Sequence, residues 1–197
     1  MRIKLFGTEI YISFLFSAVV TIMLATDRTG LMLPSVFAIT MHELGHLFAM
    51  WCLECNPKRI KLIPTSIQIT SNFSKGYKND IIIALCGPIV NIILFFSLYF
   101  NYLAYQNNTV LYFSLVNLVI GIFNVLPLWE LDGGTILYSI IAQKSQPNRA
   151  ALTVKIITRI VGVGIFLTAV YLTVKGKINF SLYIMAIYLF IGVIIKM

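Results

Sequence analysis

Six stretches of this chain are apolar for long enough to cross roughly 30 Å of hydrocarbon, and no other property narrows its folding so far. They cover residues 10–26, 30–53, 81–103, 110–129, 152–174 and 178–195. The expected fold is therefore an all-α polytopic membrane protein with six transmembrane helices. Of 197 residues, 59% are hydrophobic and 11% charged, where soluble domains average roughly 45–50% and 25%. The polar remainder is too short for a soluble domain of ordinary size, so 1–197 reads as a single membrane-embedded domain. Lys155 and Arg159 fall in the first two turns of the fifth stretch, where they are expected to snorkel toward the headgroups. Arg2 and Lys4 before the first stretch imitate a signal peptide, but no small-x-small cleavage site follows, and the stretch is kept as a span.

The net charge of +8 comes from residues scattered thinly at segment ends, a pattern that serves topology and anionic lipid rather than nucleic acid. With six crossings, Arg2, Lys4, Lys58, Arg59, Lys61, Lys75, Lys78, Lys144, Arg149, Lys155, Arg159 and Lys196 share one side. Only Arg28, Lys175 and Lys177 face the other. The positive-inside rule then places both termini and the 58–80 and 132–151 connections in the cytoplasm. Cys52, Cys55 and Cys86 are odd in number and lie in or beside apolar runs, which gives a disulfide framework little support.

The 58–80 connection is not simply polar, since Ile67, Gln68, Ile69 and Thr70 alternate after an Ile60, Leu62, Ile63 patch broken by Pro64. Two readings stand side by side: a short strand or β-hairpin at the membrane surface between the second and third spans, or a loop dipping its apolar residues into the interface.

An ionisable group at the bilayer centre costs about 2.5–3.5 kcal/mol on insertion scales, so such groups mark candidate sites. The second span holds His42-Glu43-Leu44-Gly45-His46, and these two histidines are the only ones in the chain. The i, i+4 spacing puts both imidazoles on one helical face with the carboxylate beside them, the HExxH pattern of zinc proteases. Two neutral imidazoles bind Zn²⁺, and Glu43, which is not a ligand, moves protons between water and the leaving amine. The bland alternative is a hydrogen-bonded polar cluster inside a helix bundle.

Zinc takes a third protein ligand and keeps a fourth position for water. Glu9 and Asp27 flank the first span on the wrong ends, Glu54 lies just past the second span, and Asp80 opens the third. Glu130 and Asp132 remain, in Asn124-Val125-Leu126-Pro127-Leu128-Trp129-Glu130-Leu131-Asp132-Gly133-Gly134. Pro127 removes a backbone donor and the glycine pair frees the chain, so the end of the fourth span is expected to be unwound around a polar cavity. Asn91 and Asn117 read as interhelical hydrogen-bonding residues. Trp51 and Trp129 read as interfacial aromatics.

His42 to His46, Gly87-Pro88-x-x-Asn91, Asn124-x-x-Pro127 and Leu131-Asp132-Gly133 together resemble the site-2 protease family of intramembrane zinc metalloproteases. The six-span, N-in layout is most similar to the subgroup of stage IV sporulation protein FB. The resemblance implies one Zn²⁺ per chain held by His42, His46 and Asp132, with Glu43 as general base and Asn124 as a polar contact to substrate or oxyanion. It implies a multi-pass protein of a bacterial cell membrane, acting within or beside the transmembrane segment of a membrane-associated substrate. A cytoplasmic regulatory factor would be released, such as a pro-sigma factor or an anti-sigma fragment, under a membrane-bound inhibitory or regulatory protein. Two departures stand out: Glu130 occupies a place where an uncharged residue is expected, and the chain stops at Met197, before the regulatory domain of that sporulation protein. Three rivals come from other classes: a membrane zincin of another family using Glu130, a zinc transporter, and a catalytically silent scaffold.

Overall fold

In the computed structural model, which describes residues 2–5, 8–12, 14–55, 57–63, 66–71, 76–176 and 180–195, the apolar runs become helices. Two strands, β1 (Arg2–Leu5) and β2 (Thr8–Ile12), precede α1 (Phe14–Thr26) and α2 (Met32–Cys52); β3 (Pro57–Ile63) and β4 (Ser66–Ser71) follow. The rest is helical: α3 (Tyr77–Tyr105), α4 (Asn108–Val125), α5 (Asp132–Ala142), α6 (Pro147–Val174) and α7 (Phe180–Ile195). Lys75, Lys177, Lys196 and both chain ends, which enter the charge count, lie outside the described residues.

The chain is a mostly helical, multi-pass membrane protein, and α3, α4 and α6 are long and apolar enough to cross a bilayer. The 21 residues of α2 suffice in length, but His42, Glu43 and His46 dilute their hydropathy. Residues 10–12, expected at the start of the first span, belong to β2 instead, and the helix begins at Phe14. β2 is held by pairing: antiparallel to β1, and parallel to β3 with Ile10 opposite Ile60. β3 and β4 pair antiparallel with Lys61 opposite Gln68, completing a sheet of order β1-β2-β3-β4 with β4 at one edge. A parallel partner some fifty residues away supplies the ladder that β2 cannot make alone.

Asp27 caps the start of α2. Its Oδ1 accepts from the Thr29 N–H and hydroxyl at 2.8 and 2.7 Å, and its Oδ2 accepts from the Met32 N–H at 2.9 Å. The Thr29 hydroxyl first, then these backbone donors, hold the Asp27 carboxyl below its ordinary pKa by favouring the charged form.

Two compact units divide the chain, Met1–Phe123 and Asn124–Met197. In the first, α2 packs along α3 through small side chains, with Ala38, Ala49 and Ala84 buried, while Ile89, Ile93, Phe96 and Phe100 point outward. Small residues inside and large apolar ones outside are what a bundle surrounded by lipid requires, because burying apolar bulk offers no gain over contact with lipid tails. Gly45 makes the α2–α3 approach possible, since a Cβ there would lie 2.8 Å from the Cys86 carbonyl oxygen. α4 joins through a polar and an aromatic contact: the Ser114 hydroxyl donates to the Phe95 carbonyl at 3.1 Å, and Phe113 meets Phe37 edge-on.

In the second unit α5 packs on α6 and α6 on α7, around buried Val154, Thr158, Ala169, Ala186 and Leu189. The 132–151 segment, read from sequence as a connection, contains the eleven-residue helix α5. Its glycine pair explains the register: a Cβ on Gly133 would strike the Val125 carbonyl oxygen and one on Gly134 the Leu128 carbonyl oxygen. The 126–131 segment therefore folds tightly back over the first turn of α5.

Candidate metal centre

The first unit carries the imidazole pair. His42 and His46 are buried, at 5% and 8% exposure, where an unpaired polar group would cost several kcal/mol in lipid. Their hydrogen bonds define both tautomers. His46 Nδ1–H donates to the Ile83 carbonyl oxygen at 2.8 Å, and a carbonyl can only accept. His42 Nδ1 lies 2.7 Å from Asn91 Oδ1; the Asn91 amide nitrogen is committed to the Ala38 carbonyl oxygen at 3.0 Å and to Asn117 Oδ1 at 2.9 Å. The oxygen of Asn91 therefore faces His42, and His42 Nδ1 carries the proton.

With the Nδ1 atoms turned to these partners, the Nε2 atoms face each other. These two Nε2 atoms converge to 3.1 Å, with the ring planes at 90°. Two ring nitrogens so close need a proton or a cation between them, and each leaves its outer edge open to a shared ion. The separation is also near the roughly 3.3 Å expected for two nitrogens on one tetrahedral zinc at about 2.0–2.1 Å. The chain leaves room for it: a Cβ at Gly87 would come 2.5 Å from His46 Nε2 and Cε1 and 2.9 Å from His42 Cε1, so only glycine lets α3 pass beneath the ring tips. Pro88, next along α3, is tolerated in this interior turn at the loss of one ladder donor. The donor set, the tautomers and the glycine cradle all fit a divalent metal of the zinc type.

Glu43 is half-buried on the same helix as the pair. Sequence reasoning named His42, Glu43 and His46 directly. The interhelical hydrogen bonds expected of Asn91 form, to Ala38 on α2 and Asn117 on α4, and its amide oxygen also touches a candidate ligand, His42. The available signal was the Gly87-to-Asn91 interval, which puts a bare backbone and an amide one turn apart on one face of α3.

The second unit holds the other candidates, and it corrects the expectation that Asp132, as an aspartate beside the unwound end of the fourth span, is itself unwound. The chain is non-helical over 126–131 as expected near Pro127, but Asp132 is the first residue of α5 rather than part of the unwound stretch. The reason is the glycine pair behind it, which lets the new helix start against the returning backbone. The Asp132 carboxylate therefore stands in the first turn of α5. Asn124 is the last residue but one of α4, and Glu130 lies in the loop; both are half-buried. The loop is pinned by the Trp129 N–H, which donates to the Thr158 hydroxyl at 2.8 Å. Lys155 stands with its Nζ 5.0 Å from the Trp129 ring centre, so it meets an aromatic face rather than only extending toward headgroups.

The profile of peptidase family M50 matches residues 103–169, the stretch with Asn124, Asp132 and most of α6. The match takes in about a third of the chain, and it is a likeness to that family. The chain is 26% identical over 125 residues to stage IV sporulation protein FB of Bacillus subtilis, covering 61% of this chain and 43% of that one. To a zinc metalloprotease of Methanocaldococcus jannaschii it is 28% identical over 148 residues, covering 69% and 43%. The chain thus spans less than half the length of these two relatives. A solved site-2 protease from Methanocaldococcus jannaschii shares the fold, with a TM-score of 0.72 over 98% of this chain and 93% of that one at 21% identity.

Proposed function

We propose that this chain is an intramembrane zinc metalloendopeptidase that cuts a membrane-associated protein within or beside its transmembrane segment. The convergence of two imidazole nitrogens at 3.1 Å carries the reading, because it is close to the spacing of two nitrogens on one tetrahedral zinc, at a place where HExxH supplies a base. His42, His46 and Asp132 offer the donor set, two imidazole nitrogens and a carboxylate oxygen, that suits one zinc per chain with a position left for water. When bound, the metal supplies an acidified water and polarises the scissile carbonyl. Glu43 takes a proton from the attacking water and hands it to the leaving amine. The Asn124 amide donates a hydrogen bond to the developing oxyanion.

The site's depth sets what is released. In the six-span, N-in layout, which the charge asymmetry supports, α2 ends near the cytoplasmic surface, so His46 lies roughly 10 Å and His42 about 16 Å from that edge. Cleavage then frees the cytoplasmic side of the substrate, in keeping with a regulatory factor tethered to a bacterial cell membrane. A helical substrate shields each scissile carbonyl with its own hydrogen bond, so it must be received in extended form. β4, at the sheet edge, is suited to hold such a segment by main-chain pairing.

Membrane proteomics after expressing the wild-type chain or its Glu43→Gln variant tests the function. New membrane-protein fragments are expected only with the wild type, while both proteins carry equal zinc. Loss of zinc from Glu43→Gln would make Glu43 a ligand and refute its role as base.

A further inference from the structure

We propose that Asn91 and Asn117 are positioning residues that set which nitrogen of His42 is offered to the metal, by a chain of amides whose direction is fixed at backbone carbonyls. The inference rests on the reading of His42 as a metal ligand and deepens it. Each amide has a donor end and an acceptor end, and each could in principle be turned over, so an isolated Asn91 would not determine its neighbour's tautomer. Here it is not isolated.

The chain starts on α4. Asn117 Nδ2 donates to the Phe113 carbonyl oxygen at 2.8 Å, which cannot donate, so Asn117 must present Oδ1 toward α3. Asn91 Nδ2 donates to that oxygen at 2.9 Å and to the Ala38 carbonyl oxygen on α2 at 3.0 Å. Both amide hydrogens of Asn91 are thereby committed, and only its oxygen remains for His42 Nδ1 at 2.7 Å. A turned Asn91 would point N–H groups at His42 Nδ1, drive the ring proton to Nε2 and remove the lone pair a metal needs. It would also set its oxygen against two acceptors.

Asn91 and Asn117 are both fully buried, at 0% exposure, where turning either amide over would leave buried polar groups unmet at a cost of about 1–3 kcal/mol each. His46 needs no such relay, because its Nδ1 meets the Ile83 carbonyl directly. The Nδ1 of His42 is met by a side chain and that of His46 by a backbone carbonyl. Outer-shell partners of metal-bound histidines generally act in this way, and losing one costs 10–100-fold in metal affinity.

The test is metal affinity of the purified full chain in detergent, by chelator competition with Zn²⁺ and by visible absorption on Co²⁺ titration. Asn91→Leu should weaken binding by about 10–100-fold and alter the Co²⁺ bands. Asn91→Asp keeps an acceptor toward His42 and should recover most of the affinity. Asn117→Leu should cost less than Asn91→Leu, and the double variant should match Asn91→Leu alone, because Asn117 acts only through Asn91. Thermal unfolding of each variant separates loss of fold from loss of tautomer control. Wild-type metal affinity in folded Asn91→Leu, or additive losses in the double variant, would overturn the proposal. Unchanged binding in His42→Ala would instead overturn the ligand reading beneath it.

Discussion

Gly87→Ala is the sharpest test of the imidazole cradle, because a single methyl group reaches both rings. The added Cβ would stand 2.5 Å from His46 Nε2 and Cε1 and 2.9 Å from His42 Cε1, where ordinary contact begins at 3.4 Å. The rings must therefore retreat by up to about 0.9 Å, against a tolerance of about 0.2 Å in a metal–ligand distance. They cannot rotate away freely, since each is held by its Nδ1 hydrogen bond to Asn91 or Ile83. Breaking one such bond costs about 0.5–1.5 kcal/mol net, and overpacking a filled site typically costs 1–3 kcal/mol. Helix propensity acts the other way, by up to about 1 kcal/mol for Gly→Ala. The expected outcome is a folded protein, modestly destabilised, whose zinc affinity falls at least tenfold and whose proteolysis falls with it. Chelator competition and bound-zinc content of the purified chain measure this. Gly164→Ala is the control, because nothing lies within 4 Å of a Cβ built there. Unchanged zinc affinity in Gly87→Ala would refute the cradle and with it the convergence of the two imidazoles on one ion.

Further outcomes test the other parts of the site. Asp132→Asn should lose zinc and activity together, whereas Glu130→Gln should keep most of both; the opposite ranking in paired metal and cleavage assays would move the third ligand to Glu130. Gln68→Pro, which takes a donor out of β4, should lower kcat/KM with zinc content unchanged, and equal cleavage would leave β4 without a part in substrate presentation. With Cys52, Cys55 and Cys86 replaced, a cysteine at Gln146 should label from the cytoplasm and one at Asn107 from outside, and labelling of both from one face would break the six-span layout.

The sequence alone carried the membrane class, because hydropathy over about twenty residues is a local property that no tertiary contact alters. It also carried the chemistry of α2: His42, Glu43 and His46 share a helical face by spacing alone, and their insertion cost makes an idle presence improbable. Pairing was not local. Thr8–Ile12 continues smoothly into the apolar run after it, and only its parallel partner in β3 makes it a strand. Asp132 likewise followed a proline and preceded two glycines, which by propensity suggest unwound chain. The close return of residues 125–129 over Gly133 and Gly134 turns those glycines into the start of a helix. The proton positions were the least legible of all. A histidine's tautomer depends on what faces its second nitrogen, and for His42 that partner is 49 residues away in sequence, on another helix. Composition and periodicity can name a ligand, but which of its two nitrogens binds is decided only where α2, α3 and α4 meet.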